Sequence, residues 1–325
     1  MRAIAITKPG GPDVLALVER DSPQPSRGEV RVRVRATAVN RADLLQRMGA
    51  YPAPADSPPD IPGLEIAGEV NAVGPNVERL KVGDRVFGLL GGGGYAEEIV
   101  SHERGLAKIP DGMSFEDAAA VPEAYCTAHD AMVTQAGLKS GETLLVHAVG
   151  SGVGTAAVQL ARALGASVIG TARTQDKLDR ARELGMDHGI VPGSGAFAAA
   201  VLGHVSGGAD VVLELVGGSY VAEDLRCIAT LGRIVLVGLM AGTKGDLDLG
   251  LVLRKRARIF GTVLRARPLE QKITAMRAFE AQVVPLLARG VVKPIVDCVM
   301  PLADAPRAHE RMQSNAGFGK IVLAV

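Results

Sequence analysis

The sequence predicts an α/β protein in which a doubly wound parallel sheet is combined with a second, β-rich domain. Three observations carry this. Residues 142–173 read as strand, glycine turn, helix and strand; from Ser114 onward helical and strand patterns alternate; and before Ser114 short period-two strands are separated by turn signals. Alternation of the first two kinds builds parallel sheets with helical crossovers, whereas closely spaced short strands build antiparallel sheets or partial barrels.

The strand-turn-helix-strand segment comes first because the rest is arranged around it. Thr143 to Val146 is an apolar run short enough for a strand buried on both faces. Gly150, Gly152 and Gly154 crowd the following turn, where missing Cβ atoms let the backbone bend and approach a pyrophosphate. From Val153 apolar residues recur at Ala156, Ala157, Leu160, Ala161 and Leu164, one helical face that stops at Gly165. Val168 to Ala172 returns as a second strand, which makes a right-handed βαβ unit and therefore a dinucleotide site. The turn reads Ala148-x-x-Ser151-x-x-Gly154, so context rather than the glycine pattern carries the reading.

The choice of nucleotide rests on the end of the second strand. An NAD site offers an Asp or Glu there, about 20 residues past the glycines. This chain has Arg173, Thr174 and Lys177 instead, suited to a 2′-phosphate, and NADPH is the expected cofactor. The same residues also suit a plainer arrangement, with Thr174 capping the next helix and the two cations solvated.

In chain order, residues 1 to about 120 form the β-rich part. Val30-Arg-Val-Arg-Val-Arg35 alternates at period two, and turn signals recur at Pro9–Pro12, Gly74–Asn76, Gly83–Asp84 and Gly91–Gly94. Asn40 to Tyr51 reads as a short helix entering a Pro-rich loop, with Asp43 as a helix-capping residue. Helices are expected near 115–136, 153–164, 175–184 and 219–230, and strands near 143–147, 167–172, 189–191, 210–215, 233–237 and 258–263. The tail reads as a helix over 268–289, a strand over 291–299, a helix over 303–313 and a closing strand, which return to the first domain. The expected domains are therefore 1–122 with 267–325, and 123–266 inserted between them.

Composition narrows the function. The 325 residues carry a net charge of +1 and only 3% aromatics, so neither a basic nucleic-acid surface nor a base-stacking platform is expected. No apolar stretch reaches the about 18 residues that span a bilayer, and the first residues already read as a strand, without a signal peptide. Three scattered cysteines, Cys126, Cys227 and Cys298, suit a reducing, cytoplasmic setting. His129 and His147 read as structural residues.

The order of elements, with Val39-Asn-Arg-Ala-Asp43, Pro62-Gly-Leu-Glu-Ile-Ala-Gly68, Val82-Gly-Asp-Arg-Val86 and Gly319-Lys-Ile-Val322, resembles the medium-chain dehydrogenase/reductase superfamily. Pro122-Glu-Ala, Ser151-Gly-Val-Gly154, Gly217-Gly-Ser-Tyr220 and Gly238-Leu-Met240 are similar to the zinc-independent, tumour-suppressor-inducible quinone oxidoreductase branch. That resemblance implies a Rossmann sheet plus a GroES-like catalytic domain. It also implies no metal, because related alcohol dehydrogenases have a Cys where Asn40 stands and Gly-His-Glu where Gly63-Leu64-Glu65 stands. Asn40 and Tyr51 would be the catalytic residues on the substrate side. Thr127, Ser151, Gly152, Val153, Gly154, Gly238, Leu239, Met240, Leu264, Arg265 and Lys320 would join Arg173, Thr174 and Lys177 around the cofactor. Pro192 stands where members often carry a Tyr or His near the adenosine.

Metal-free hydride transfer requires an activated acceptor. A ketone reduced by hydride becomes an alkoxide, which calls for a Lewis acid or a strong proton donor. A quinone becomes a phenolate of pKa about 10, which a weak donor completes. The expected function is thus an NADPH-dependent quinone oxidoreductase working in the inter-domain cleft. The alternatives are an enoyl reductase acting on an α,β-unsaturated carbonyl and a non-catalytic, crystallin-like NADPH-binding protein. The apolar last strand of the Rossmann sheet, Arg258 to Leu264, is an edge expected to pair with its twin in a homodimer.

Overall fold

The structure, a computed structural model, describes residues 1–193 and 195–325. It divides into two compact units, one of residues 1–126 and 264–325, the other of residues 127–263.

In the first unit, a seven-stranded sheet is built around the long strand Glu29–Val39. The alternation seen in the sequence is the reason it sits there: Val30, Val32 and Val34 are 0–2% exposed, while the arginines between them face outward. Glu65–Val73 and Lys320–Ala324 flank it antiparallel, with registers Val34↔Gly68 and Val322↔Ala38. The strand Val296–Pro301 then pairs parallel with Lys320–Ala324 at the edge. A separate hairpin, Arg2–Ile6 with Leu15–Glu19, opens the chain.

The second unit holds six parallel strands. From one edge to the other they are His188–Ile190, Ser167–Thr171, Thr143–Val146, Ala209–Glu214, Ile228–Leu236 and Arg258–Gly261. This is the doubly wound order, which reverses beside the first strand, Thr143–Val146. The chain therefore has the expected α/β fold, a Rossmann sheet with a GroES-like β-rich unit. Among the described residues no helix is long and apolar enough to cross a membrane.

Several elements differ from expectation, each for a local reason. The helix expected over 115–136 is divided into Phe115–Ala119 and Pro122–His129, a break that falls where the residue before a proline disfavours helical geometry, and Pro122–His129 runs on into a wider turn, Asp130–Gln135. The helix expected over 268–289 breaks at Val283, ahead of Pro285, into Leu269–Gln282 and Val284–Ala288. The tail strand lies at Val296–Pro301 rather than 291–299, where Lys320–Ala324 offers it a partner. Two helices, Ala198–His204 and Leu249–Lys255, join the four expected around the sheet.

Candidate active site

The glycine turn shows why its sequence is spaced as it is. Ala148 adopts a left-handed conformation at φ +50°, uncommon for a residue with a Cβ. That conformation swings its carbonyl towards the next helix, so a Cβ on Gly154 would stand 2.4 Å from Ala148 O. Position 154 therefore requires glycine. Ser151, which replaces the commoner glycine, caps the helix Gly152–Leu164: its Oγ accepts a hydrogen bond from Gly154 N at 3.0 Å. The first-turn N–H groups of Gly152 and Val153 have no carbonyl to meet within a helix, and no acidic residue lies in that turn. This end of the helix is built to accept an anion.

Arg173 and Thr174 are exposed just past Ser167–Thr171, and Lys177 follows, half-buried, in the first turn of the next helix. Thr174 occupies that helix's N-cap position with no side-chain cap bond. At the same edge of the sheet, Leu239 and Met240 are 44% and 52% exposed, Gly218 N donates to Gly242 O, and Ala241 N donates to Val216 O. Thr127 is half-buried in the helix Pro122–His129.

Beneath this edge lies a cluster that the sequence did not reveal. His147, Glu214 and Asp224 are fully buried, with His147 Nε2 2.7 Å from Asp224 Oδ1 and Nδ1 2.8 Å from Thr171 Oγ1. Glu214 Oε1 accepts from Val216 N and, at 2.9 Å, from Gly217 N, so it holds the glycine turn in place. Burial raises the Glu214 carboxyl to about 7 and the Asp224 carboxyl to about 8, and lowers the His147 imidazole to about 4. The three could offer ligand atoms to one metal ion. At 2.7 Å, however, His147 and Asp224 share a hydrogen bond, and the cluster is read as hydrogen-bonded.

In the first unit a second cluster gathers around Asn40. Asp43 Oδ2 accepts Asn40 N at 2.8 Å, the helix-capping role expected for it, and its Oδ1 accepts Gly63 N at 3.0 Å. Burial raises the Asp43 carboxyl to about 6. Asn40 Nδ2 donates to Glu65 Oε1 at 2.8 Å, and Asn40 Oδ1 accepts from the ammonium of Lys320. That ammonium also lies 2.7 Å from Glu65 Oε1 and 3.3 Å from Val39 O. Burial works against the charge of Lys320, yet Glu65 and Glu123 raise its pKa. Glu123 N donates to Glu65 Oε2 at 2.8 Å.

Arg265 is buried as well. Its guanidinium reaches Gly91 O at 2.7 Å, Tyr51 O at 3.3 Å and Gln46 Oε1 at 2.5 Å, and it lies 5.0 Å from the centre of the half-buried Tyr51 ring. Leu264 beside it is 8% exposed. The structure thus groups Asn40 with Lys320 and Tyr51 with Arg265. Glu123 and Asp43 complete the first group but were not among the expected site residues, although Pro122-Glu-Ala had marked one of them as a motif.

Comparison with known proteins shows the family to which this fold belongs. Residues 26–111 match the alcohol dehydrogenase GroES-like domain and residues 152–281 the zinc-binding dehydrogenase family. A quinone oxidoreductase of Pseudomonas aeruginosa is 36% identical over 97% of this chain and 96% of its own length. The erythronolide synthase EryA2 of Saccharopolyspora erythraea is 39% identical over 93% of this chain, which spans only 8% of that protein. Among solved structures, Escherichia coli quinone oxidoreductase complexed with NADPH superposes with a TM-score of 0.88 at 30% identity, covering both chains fully. An NAD-dependent alcohol dehydrogenase superposes at 0.89 with 34% identity and the same coverage. The chain belongs to the medium-chain dehydrogenase/reductase superfamily, and quinone oxidoreductases are among its full-length relatives.

Proposed function

We propose that the protein is an NADPH-dependent quinone oxidoreductase that works without a metal. The observation that carries the reading is the position of Lys320. Its ammonium lies on Glu65 and Asn40, the positions where alcohol dehydrogenases of the superfamily carry metal-site residues. A divalent cation there would meet a fixed positive charge, and Asn40 and Leu64 replace the Cys and His of those relatives. These residues do not fit a metal. A substrate that needs a Lewis acid is accordingly disfavoured, and a quinone, already activated for hydride, is favoured.

The dinucleotide fits the second unit. The capped helix at Gly152, Val153 and Gly154 suits the pyrophosphate, Arg173, Thr174 and Lys177 suit the 2′-phosphate, and Gly238, Leu239 and Met240 line the same edge. When bound, NADPH supplies the hydride. Thr127, Leu264, Arg265 and Lys320 complete the proposed cofactor contacts, with Asn40 and Tyr51 on the acceptor side. Reduction of an enone is the second reading, supported by the likeness to polyketide synthases, of whose length the chain spans 6–15%.

The strand Arg258–Gly261 ends the sheet order, and Leu249 and Leu253, one turn apart on the neighbouring helix, are 73% and 78% exposed. A homodimer formed through this edge is part of the proposal, and a monomer by sedimentation at micromolar concentration would refute it. A cytoplasmic setting is also part of it, supported by three free cysteines. The activity test is NADPH and NADH oxidation with an ortho-quinone, a para-quinone and a linear enone. Quinone turnover with NADPH supports the reading, enone turnover alone replaces it, and binding without turnover points to a non-catalytic protein.

A further inference from the structure

The polar cluster around Asn40 is almost sealed. Asp43 and Glu65 are 0% exposed, Asn40 and Lys320 4% each. Glu123 differs, since its side chain keeps 21% of its exposure while Oε2 stays 4.0 Å from Lys320 Nζ. It is the member of this group that reaches solvent. Its backbone is fixed by the hydrogen bond to Glu65 Oε2, and it follows Pro122 at the start of the helix Pro122–His129. Thr127 lies one turn further along, so the two side chains leave that helix on one face.

We propose that Glu123, positioned beside the Lys320–Glu65 pair, is the proton donor that completes reduction of the acceptor. This rests on the quinone reductase reading. Hydride brings two electrons and one hydrogen to the quinone, which becomes a hydroquinone monoanion as the nicotinamide is oxidised. The O–H bond of the Glu123 carboxyl then breaks, and its proton forms the second hydroquinone O–H. The carboxylate recovers a proton from water, so that quinone, NADPH and one proton yield hydroquinone and NADP⁺.

The charges around Glu123 suit the task. Burial raises its carboxyl to about 7, with Lys320 opposing the shift and Glu65 and Asp43 adding to it. Both protonation states are therefore populated near neutrality, and transfer to a phenolate of pKa about 10 is downhill. A residue that merely complements the helix dipole would also be acidic at this place. Such a residue would affect stability and leave the pH profile of turnover alone.

The test uses the NADPH-loaded wild type, Glu123→Gln and Glu123→Asp, with a para-quinone and a linear enone, between about pH 5.5 and 9. The expected wild-type kcat falls as pH rises through about 7. Glu123→Gln should lower kcat on the order of 100-fold and abolish that limb, with the melting temperature and NADPH affinity close to wild type. Glu123→Asp should restore the limb and part of the rate. A folded Gln variant with wild-type kcat and an unchanged limb on quinone overturns this proposal alone. Enone turnover without quinone turnover overturns the quinone reading, and the same limb then judges Glu123 on the enone. Turnover of neither overturns both.

Discussion

Each unit sets a pair of carboxyl groups against one buried basic side chain, but the base differs. In the first unit it is Lys320, whose charge is sustained by Glu65 and Glu123 against the cost of burial. In the second it is His147, which burial keeps neutral at about 4. With no permanent cation, the Glu214–Asp224 pair solves the same problem with protons. Glu214 Oε2 and Asp224 Oδ2 are buried and lack a donor if both groups are ionised, whereas a proton shared between the two carboxyls satisfies both. A lysine fixes charge at the cost of depending on its partner, while a carboxyl pair makes stability depend on pH.

The sharpest break in this contrast is Lys320→Met. It leaves Glu65 buried without its cation and should cost about 3–5 kcal/mol in chemical denaturation. Adding Glu65→Gln should recover much of that loss, and a double variant as unstable as the single one would mean the pair is not coupled.

The carboxyl pair of the second unit should make stability respond to pH. Both Glu214 and Asp224 are raised above their unfolded values, so the folded state holds more protons, and stability declines as pH rises from about 4.5 through about 8. Below about 6.5 His147, whose folded pKa is depressed, opposes this trend, while Glu123 of the first unit, also raised to about 7, adds to it, so the difference between variant and wild type, rather than the slope alone, reports on Asp224. Asp224→Asn, an amide that never ionises, should flatten the decline in melting temperature across that pH range. An equally steep decline in the variant would place the proton uptake elsewhere.

Smaller effects are expected at the phosphate-facing residues. Arg173→Ala should weaken NADPH about tenfold relative to NADH, read from the ratio of the two KM values. An unchanged ratio would leave Arg173 as a solvated surface residue. Ser151→Ala removes the bond to Gly154 N and should lower stability by about 1 kcal/mol, with Ser151→Gly costing only a few tenths.

How much of this was legible depended on distance along the chain. The βαβ unit could be read because period, turn and cap all lie within residues 142–173, and the Val30 to Arg35 alternation announced its own inner face. The broken helices at Val121–Pro122 and Val283–Pro285 carried a local signal in their prolines. The sites were harder. Lys320 and Asn40 lie 280 residues apart, and nothing local to Gly319-Lys-Ile-Val322 indicates that its lysine turns towards Glu65. Asp224 likewise reads as an ordinary polar position of an amphipathic helix until the fold sets it against His147, 77 residues earlier.

The strand Lys320–Ala324 lies between Val296–Pro301 and Glu29–Val39, inside the sheet rather than at its edge. During synthesis the continuous second unit can emerge and fold while the first still lacks an interior strand. At about 5–20 residues per second, the some 200 residues separating Ala120 from Lys320 correspond to tens of seconds on the ribosome. For that interval only the Ala36–Val39 end of the strand Glu29–Val39 has one side unpaired, since Glu98–His102 already pairs with Glu29–Arg33, and that end stays open to any other extended chain nearby until the segment that carries Lys320 arrives to close it.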